Sequence, residues 1–452
     1  MKFLLFVCCL TLASAASSQA DHHGTQGRVV STVPGILAHR DRVAPIRQML
    51  EDRLDNLLPR LMRETGIDMW VVIAREYNED PTFMTLVPEP VFAARRTTML
   101  VFFDQGKRKG LERFTVSRYP IRDFYDAAWE GGNLDQQWQR LAEVIAKRKP
   151  KKIAINRSKD WPVADGLSAA LHDEFMAALP QTYKDRVVSA QDLVVRWTET
   201  RSEAELQVYP QIVGIARAVI SEAFSEQVIT PGVTLPDDVA WYIRSRFEAL
   251  GLKPWFQPYV NIQRPGTNTN PDSPFFGIND QPIQRGDVLH TDVGICYLRL
   301  CTDTQEMGYV LQADEHLVPQ GLIDALTLGN RWQDLLTGNY VAGRTGNEIL
   351  AATLRQQEAE NINGSVYTHP LGNFGHAPGP TIGMWDNQGP TPIRGDWPLH
   401  ANTAYAIEGN IKTAVPEWDG ELVQIKLEQD AVFDGEKVYY LAGRQTQWHV
   451  IR

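Results

Sequence analysis

The sequence predicts an α+β protein of two domains, an α/β domain over about 41–190 and a larger one over about 191–452. Three observations carry this. At 452 residues the chain exceeds what one hydrophobic core usually serves. The first part alternates apolar strand-like runs with amphipathic helical runs, the pattern of an α/β unit. The second part opens on long helical patterns and ends, over roughly the last sixty residues, in strands and turns alone.

The elements follow in order. MKFLLFVCCLTLASAASSQA, residues 1–20, has one lysine, an apolar run and then small residues. That is the layout of a secretory signal peptide and is too short for a membrane span. Cleavage falls after Ala15 or Ala20, so the expected product is exported, periplasmic or secreted. A lead-in segment covers 21–40. RQMLEDRLDNLLPRLMRETG has helical spacing and stops at Gly66. IDMWVVIA and TTMLVFFD read as buried strands and RFTVS as a shorter one. LDQQWQRLAEVIAKR is a helix, KKIAINRS a strand and VADGLSAALHDEFMAALP a helix. A long helical pattern then begins at ETRSEAELQ, with Pro210 as a bend. Another runs from TPGVTLPDDVAWYIRSRFEALG to Gly251.

Net charge is −10, which disfavours nucleic acid or an anionic membrane surface as a partner. The one basic run, KRKPKK at 147–152, lies between a helix and a strand and reads as a solvated turn. Two cysteines, Cys296 and Cys301, remain beyond the leader. Strand alternation sets residues five apart on opposite faces, so two buried thiols are expected rather than a disulfide.

Chemistry concentrates in the second domain. HTDVGICYLRLCTDTQ, residues 290–305, reads as strand, turn, strand with an aspartate on each arm. A turn centred between Tyr297 and Leu298 sets Asp292 opposite Asp303. Two acids so placed among apolar neighbours repel unless a cation stands between them; the other reading is a pair of edge aspartates facing water. AYAIEGNIKTAVPEWDGELVQIKLEQDAVF repeats the design, for a turn centred on Trp418 sets Glu408 opposite Glu428. Between the pairs, THPLGNFGHAPGPTIGMWD is loop-like and holds His369 and His376. Gly375 and Gly379 let the backbone turn tightly around His376, which adds a nitrogen ligand. Four carboxylates and an imidazole suit Mn, Co, Zn or Fe(II), and their charge balances two ions rather than one. Two metals roughly 3.5 Å apart can polarise a carbonyl and hold a hydroxide, the arrangement of hydrolytic aminopeptidases.

These residues resemble the pita-bread metallopeptidases: methionine aminopeptidase, aminopeptidase P and prolidase. That family carries Asp, Asp, His, Glu, Glu in order, matched here by LHTDVG at Asp292, CTDT at Asp303, FGHAPG at His376, YAIEGN at Glu408 and KLEQDAV at Glu428. The two-domain members also share the layout, so the resemblance implies a creatinase-like α/β N-terminal domain followed by a pita-bread catalytic domain. It implies a peptidase that removes an N-terminal residue from peptides, with Xaa-Pro bonds as the candidate specificity. It further implies two divalent metals, manganese first, then cobalt, zinc or iron. Asp292 would chelate one ion, His376 and Glu408 the other, and Asp303 and Glu428 would bridge. A metal-bridging hydroxide would attack, with Glu408 as proton shuttle. Peptide is the implied partner, and homodimers are compatible with the likeness.

The departures bear on specificity. Glu-Pro-Gly at the fourth ligand becomes Glu-Gly-Asn. An Arg two before the last Glu becomes Lys426, which cannot make a bidentate fork. The Asp-x-Thr-Arg motif becomes DTQE. The proline-specific members keep a histidine shortly before the ligand histidine and another seven after it; here His369 lies seven before His376, and position 383 is Gly. His369 is then either a substrate-binding or proton-relaying residue or a loop histidine without chemistry. His290 shares a strand face with Asp292, and Asp386 or His400 is available for a substrate role. Two further functions stay open: a dinuclear hydrolase of a non-peptide amide or ester, and a non-catalytic binding protein on the same fold.

Overall fold

The computed structural model describes residues 33–267 and 270–452. The leader, its cleavage positions Ala15 and Ala20, and the lead-in up to residue 32 lie outside the described residues.

The first domain is a six-stranded mixed sheet. Its strands are β1 (Met69–Arg75), β2 (Thr97–Asp104), β3 (Leu111–Thr115), β4 (Asp126–Ala127), β5 (Ile153–Ile155) and β6 (Val187–Ser189), in the order β4-β3-β2-β1-β5-β6. β1 explains why it lies at the centre. Trp70, Val72 and Ala74 enter one apolar core while Met69, Val71 and Ile73 enter another, so both faces are covered and a continuous apolar run is required. The expected first helix comes as Val43–Asp52 and Leu58–Glu64, joined by a π-helical turn over Arg53–Leu57. The basic run 147–152 is the helix end and turn before β5, with Lys149 in the left-handed conformation. Helix Gln191–Glu199 adds Leu193, Val194, Val195 and Trp197 to the core beneath β1.

A capping box of Ser202 and Glu205 then starts the helix Glu203–Ala223, which runs unbroken through Pro210. Ahead of it the chain builds β7 (Lys253–Pro254), β8 (Tyr259–Gln263), β9 (Val288–Val293), β10 (Ile295–Tyr297), β11 (Leu300–Cys301) and β12 (Thr304–Val310). β13 (Asn363–Val366), β14 (His369–Leu371), β15 (Thr403–Ala414), β16 (Leu422–Phe433), β17 (Val438–Tyr440) and β18 (His449–Ile451) complete it. Nine of these form one sheet around the path β13-β15-β16-β12-β9-β8, with β14, β17 and β18 as side pairings. Helices Glu203–Ala223 and Pro236–Ala249 pack in one core of this sheet, and Gln320–Thr337 and Gly346–Ala359 in the other.

Candidate metal centre

Hairpin β15–β16 supplies two acids by register alone. Glu408 stands opposite Glu428 and the turn centres on Trp418, as the spacing predicts. Tyr405, Ile407, Ile411, Val423, Ile425 and Leu427 all face the helical core. Alternation therefore sends Glu408, Asn410, Lys412, Gln424, Lys426 and Glu428 to the other face. The departure to Glu-Gly-Asn has a packing cause. A Cβ at Gly409 would stand 2.3 Å from both the Trp332 ring and the Ser365 carbonyl oxygen.

The opening hairpin corrects two expectations. Asp292 pairs with Gln305, not Asp303, because the turn centres between Leu298 and Arg299, one residue later than expected. Both turn residues are left-handed, with φ of 52° and 66°, a conformation their side chains do not announce. Arg299 is held there from outside the hairpin, donating to the Met84 carbonyl (3.2 Å) and to Glu89 (3.0 Å). The same register sets Cys296 directly opposite Cys301, and the two form a disulfide. The expected pair of free thiols rested on strand alternation over five residues, which does not carry across the turn between them; the observed register makes the two cysteines cross-strand partners instead.

Asp303 falls in the gap between β11 and β12. It is positioned by Asp430, whose carboxylate accepts from the Asp303 N–H (3.0 Å) and from Thr304 Oγ1 (3.0 Å). The two hairpins thus meet. Gln305 Nε2 donates to Glu408 Oε1 (2.7 Å) and Glu428 Oε2 (2.9 Å), while its Oε1 pairs with His290 Nε2 (2.7 Å). His290 and Asp292 line one cavity, as their shared strand face predicts.

Both candidate histidines reach the cluster, unequally. His369 pairs through β14 with Ala406 and is buried, its side chain 6% exposed. Its Nε2 lies 3.6 Å from Asp303, 3.8 Å from Glu408 and 3.6 Å from Glu428. His376 sits on a loop with 57% of its side chain exposed and approaches one carboxylate, Asp303, at 3.8 Å. Its ring stacks edge-on against His369 (4.5 Å) and Trp255 (5.1 Å). His400 pairs instead with Glu199 (2.9 Å), and Asp386 is exposed on a turn.

The donor set fits a pair of divalent cations. Asp292, Asp303 and Glu428 form one close group, and His369, Glu408 and Glu428 a second, each with ligand atoms within 4.8 Å of one another. A third group joins Asp303, His369 and His376. Asp292 Oδ1, Asp303 Oδ1, Glu428 Oε1 and His369 Nε2 are buried without a hydrogen-bond partner among the described residues. Buried acceptors left so are costly unless a cation completes them. In the protein alone, burial pushes the carboxyls of Asp292, Asp303 and Glu408 well above their ordinary range, and repulsion from Glu428 adds to it. Burial likewise raises Glu428 to about 8 and lowers His369 to about 4. Full ionisation of this cluster therefore needs added positive charge.

Gln305 and Asp430 are neighbours that the sequence reading does not single out. Asp430 was within reach of it, lying two residues beyond Glu428 and so on the same face. Gln305 was hidden by the register error. A cavity of about 460 Å³ opens beside the cluster, with Asp292 and Glu408 on its wall and Tyr259, Phe275 and Trp385 around it. Among the described residues no helix is long and apolar enough to cross a membrane.

Residues 209–433 match the model for metallopeptidase family M24. No curated protein matches the chain significantly. Among solved structures, an X-Pro aminopeptidase from Thermotoga maritima MSB8 is 18% identical with a TM-score of 0.60, covering 86% of this chain and 99% of its own. A Xaa-Pro dipeptidase from Bacillus anthracis is 16% identical with a TM-score of 0.57, covering 91% and 99%. An aminopeptidase P variant from Escherichia coli is 14% identical with a TM-score of 0.57, covering 88% and 95%. Identities this low carry the fold, a smaller α/β domain followed by a pita-bread domain, and not the substrate. With its acid-bearing hairpins, its fold and its family match in agreement, the chain belongs to metallopeptidase family M24, residues 209–433 being the matched peptidase region.

Proposed function

We propose that this protein is a dinuclear metallopeptidase that removes an N-terminal residue from peptides, with Xaa-Pro bonds as the first specificity to try. The observation that carries the reading is the pair of donor groups sharing Glu428, with four buried ligand atoms left without other partners. Asp292, Asp303 and Glu428 would hold one ion, and His369, Glu408 and Glu428 the other. In this reading His369 is the nitrogen ligand, in place of the expected His376. Its contact with three carboxylates and its burial support that exchange. His376, exposed at the rim beside Trp255, is then available to the substrate. Manganese is the first metal to test, with cobalt, zinc and iron behind it.

Bound divalent ions would polarise the scissile carbonyl and lower the pKa of a water. The chain's own contribution is positioning and proton handling. Gln305 clamps Glu408 and Glu428 through one amide nitrogen, fixing their carboxylates relative to each other. Glu408, on the cavity wall beside the cluster, takes a proton at its carboxylate and returns it to the departing amine. The leader at 1–20 extends the reading to an exported enzyme, which N-terminal sequencing of the mature protein would check.

The test is metal content and peptide hydrolysis in His369→Ala and His376→Ala beside the parent protein. His369→Ala should lose bound metal and activity together. His376→Ala should keep its metal and lose about ten- to a hundred-fold in kcat/KM. The opposite pattern would restore His376 as the ligand. Peptide hydrolysis that survives complete metal removal would end the metallopeptidase reading.

A further inference from the structure

We propose that the cavity beside the metal cluster recognises a carboxylate on the substrate, and that Lys412 and Lys426 select it. This rests on the peptidase reading above and adds the charge of the substrate to it.

The first support is the ladder of β15 and β16. Outward from the acids, the cross-strand pairs on the cavity face are Glu408 with Glu428, Asn410 with Lys426, and Lys412 with Gln424. At about 3.3 Å per residue, Lys426 is rooted about 7 Å from Glu428 and Lys412 about 13 Å from Glu408. The same sheet face therefore passes from anionic to cationic within two to four residues along the strands.

The second support is charge. Asp292 and Glu408 are the acids among the cavity's lining residues, and both belong to the metal cluster. Four carboxylates balance two divalent ions, so nothing in the cluster is left over to neutralise the lysines. Neither lysine forms an ion pair among the described residues. Lys412 Nζ donates to the Pro271 (2.8 Å) and Ser273 (2.5 Å) carbonyls, and Lys426 Nζ to the Phe276 carbonyl (2.8 Å). An ammonium has three donors, so one remains on Lys412 and two on Lys426. Burial lowers the pKa of both ammonium groups, Lys426 to about 7, while Asp272 and Asp292 act through space on Lys412 and Lys426 in the opposite sense.

The third support is shape. A cavity of about 460 Å³ lies in the size range of small-ligand sites and has room for a dipeptide. Phe275 and Trp385 can cover an aliphatic stem, and Asn363, Ser365 and Asn410 bring further hydrogen-bonding groups to the lining. A carboxylate can arrive from two sources, the side chain of an acidic N-terminal residue or the C-terminal end of a dipeptide. The competing explanation is that the lysines only pin segment 271–276 over the cavity through its carbonyls.

The experiment is calorimetric binding of inert reduced-bond dipeptide analogues to the manganese-loaded protein. One pair is Glu-Pro amide against Gln-Pro amide, and the other is Ala-Pro free acid against Ala-Pro amide. The proposal expects the anionic member of at least one pair to bind about ten-fold or more tightly. The first pair identifies a side-chain source and the second a C-terminal one. Added salt should shrink the preference, and Lys412→Gln and Lys426→Met should each bring the ratio toward one. A purely pinning role would weaken both members alike and leave the ratio standing, which overturns the proposal. So would equal affinity in both pairs, or no binding of either anion. Hydrolysis of the matching peptides separates the two readings. Cleavage blind to charge sinks the lysine proposal and keeps the peptidase. Charge-selective binding without cleavage of any peptide does the reverse.

Discussion

The two hairpins that deliver the four acids are built on different principles. β15–β16 runs twelve consecutive residue pairs from Thr403 to Ala414. β9–β12 pairs at its base, breaks around Gly294 and Asp303, and pairs again for two residues at its tip. In the long ladder the acids are placed by register, because each pair constrains the next. In the broken one Asp292 is placed by register and Asp303 by a contact with the other hairpin, the Asp430 carboxylate. A site assembled this way depends on the regular hairpin twice, once for its own ligands and once as the anchor of its neighbour's.

The largest test of that dependence is one acid from each hairpin. Glu428 belongs to both donor groups and Asp303 to two of the three. Glu428→Gln should lose both metals and roughly 10³-fold or more in kcat/KM. Asp303→Asn should lose comparable activity. Elemental analysis of the purified variants reads the metal count, and two ions still bound in Glu428→Gln would mean that the groups do not share it.

A second test uses pH. The acids of both hairpins have carboxyl pKa values raised by burial, Glu428 to about 8 from an ordinary 4.5. Once the metal is chelated, the folded protein keeps protons that the unfolded chain releases above about pH 4.5. Stability of the chelated protein should therefore be highest below that pH and fall as pH rises toward 8. Metal replaces the protons, so its stabilisation should be larger at pH 8 than at pH 5. Thermal melts with chelator and with manganese at the two values would show it, with a gap on the order of 5 °C. A chelated protein equally stable at both would mean that the acids are not crowded as described.

How much of this was legible in the sequence follows the same division. The Glu408–Glu428 pair could be read from spacing because a single turn at Trp418 governs an unbroken ladder. β1 was legible as a buried strand because both of its faces are apolar. The register of the first hairpin was not, since the left-handed pair Leu298–Arg299 is stabilised by carbonyl and carboxylate partners of the other domain, more than two hundred residues away. The disulfide was lost with that register. His369 was hard to weigh for a related reason. Its strand β14 has three residues, one of them Pro370, and is recognisable only by its pairing with β15. The glycines around His376 drew attention to the more exposed of the two rings.

Packing behind the long ladder offers a smaller effect. Gly409 lets Trp332 and the Ser365 carbonyl approach the strand between Glu408 and Asn410. Gly409→Ala must push them apart, at a cost of about 1–3 kcal/mol. Denaturant unfolding would measure it, and a loss below about 0.5 kcal/mol would show that the indole has room to shift.

The smallest effect should come from the tip of the broken hairpin. Cys296 and Cys301 close a short loop, and the chain-entropy account of so small a crosslink limits its contribution to about 2 kcal/mol. Much of that closure is supplied without the bond. Tyr297 pairs with Leu300 across the turn, and Arg299 is tied to Met84 and Glu89. Asp303 is fixed from the opposite side by Asp430, so the ligand does not hang on the crosslink. The double variant Cys296→Ser with Cys301→Ser should then lose less than about 2 kcal/mol of stability. It should keep its full metal complement and an activity within about three-fold of the parent. If metal were lost with the sulfurs, Asp303 would owe its place to the covalent tie rather than to the regular hairpin, and the dependence argued from Asp430 would run the other way.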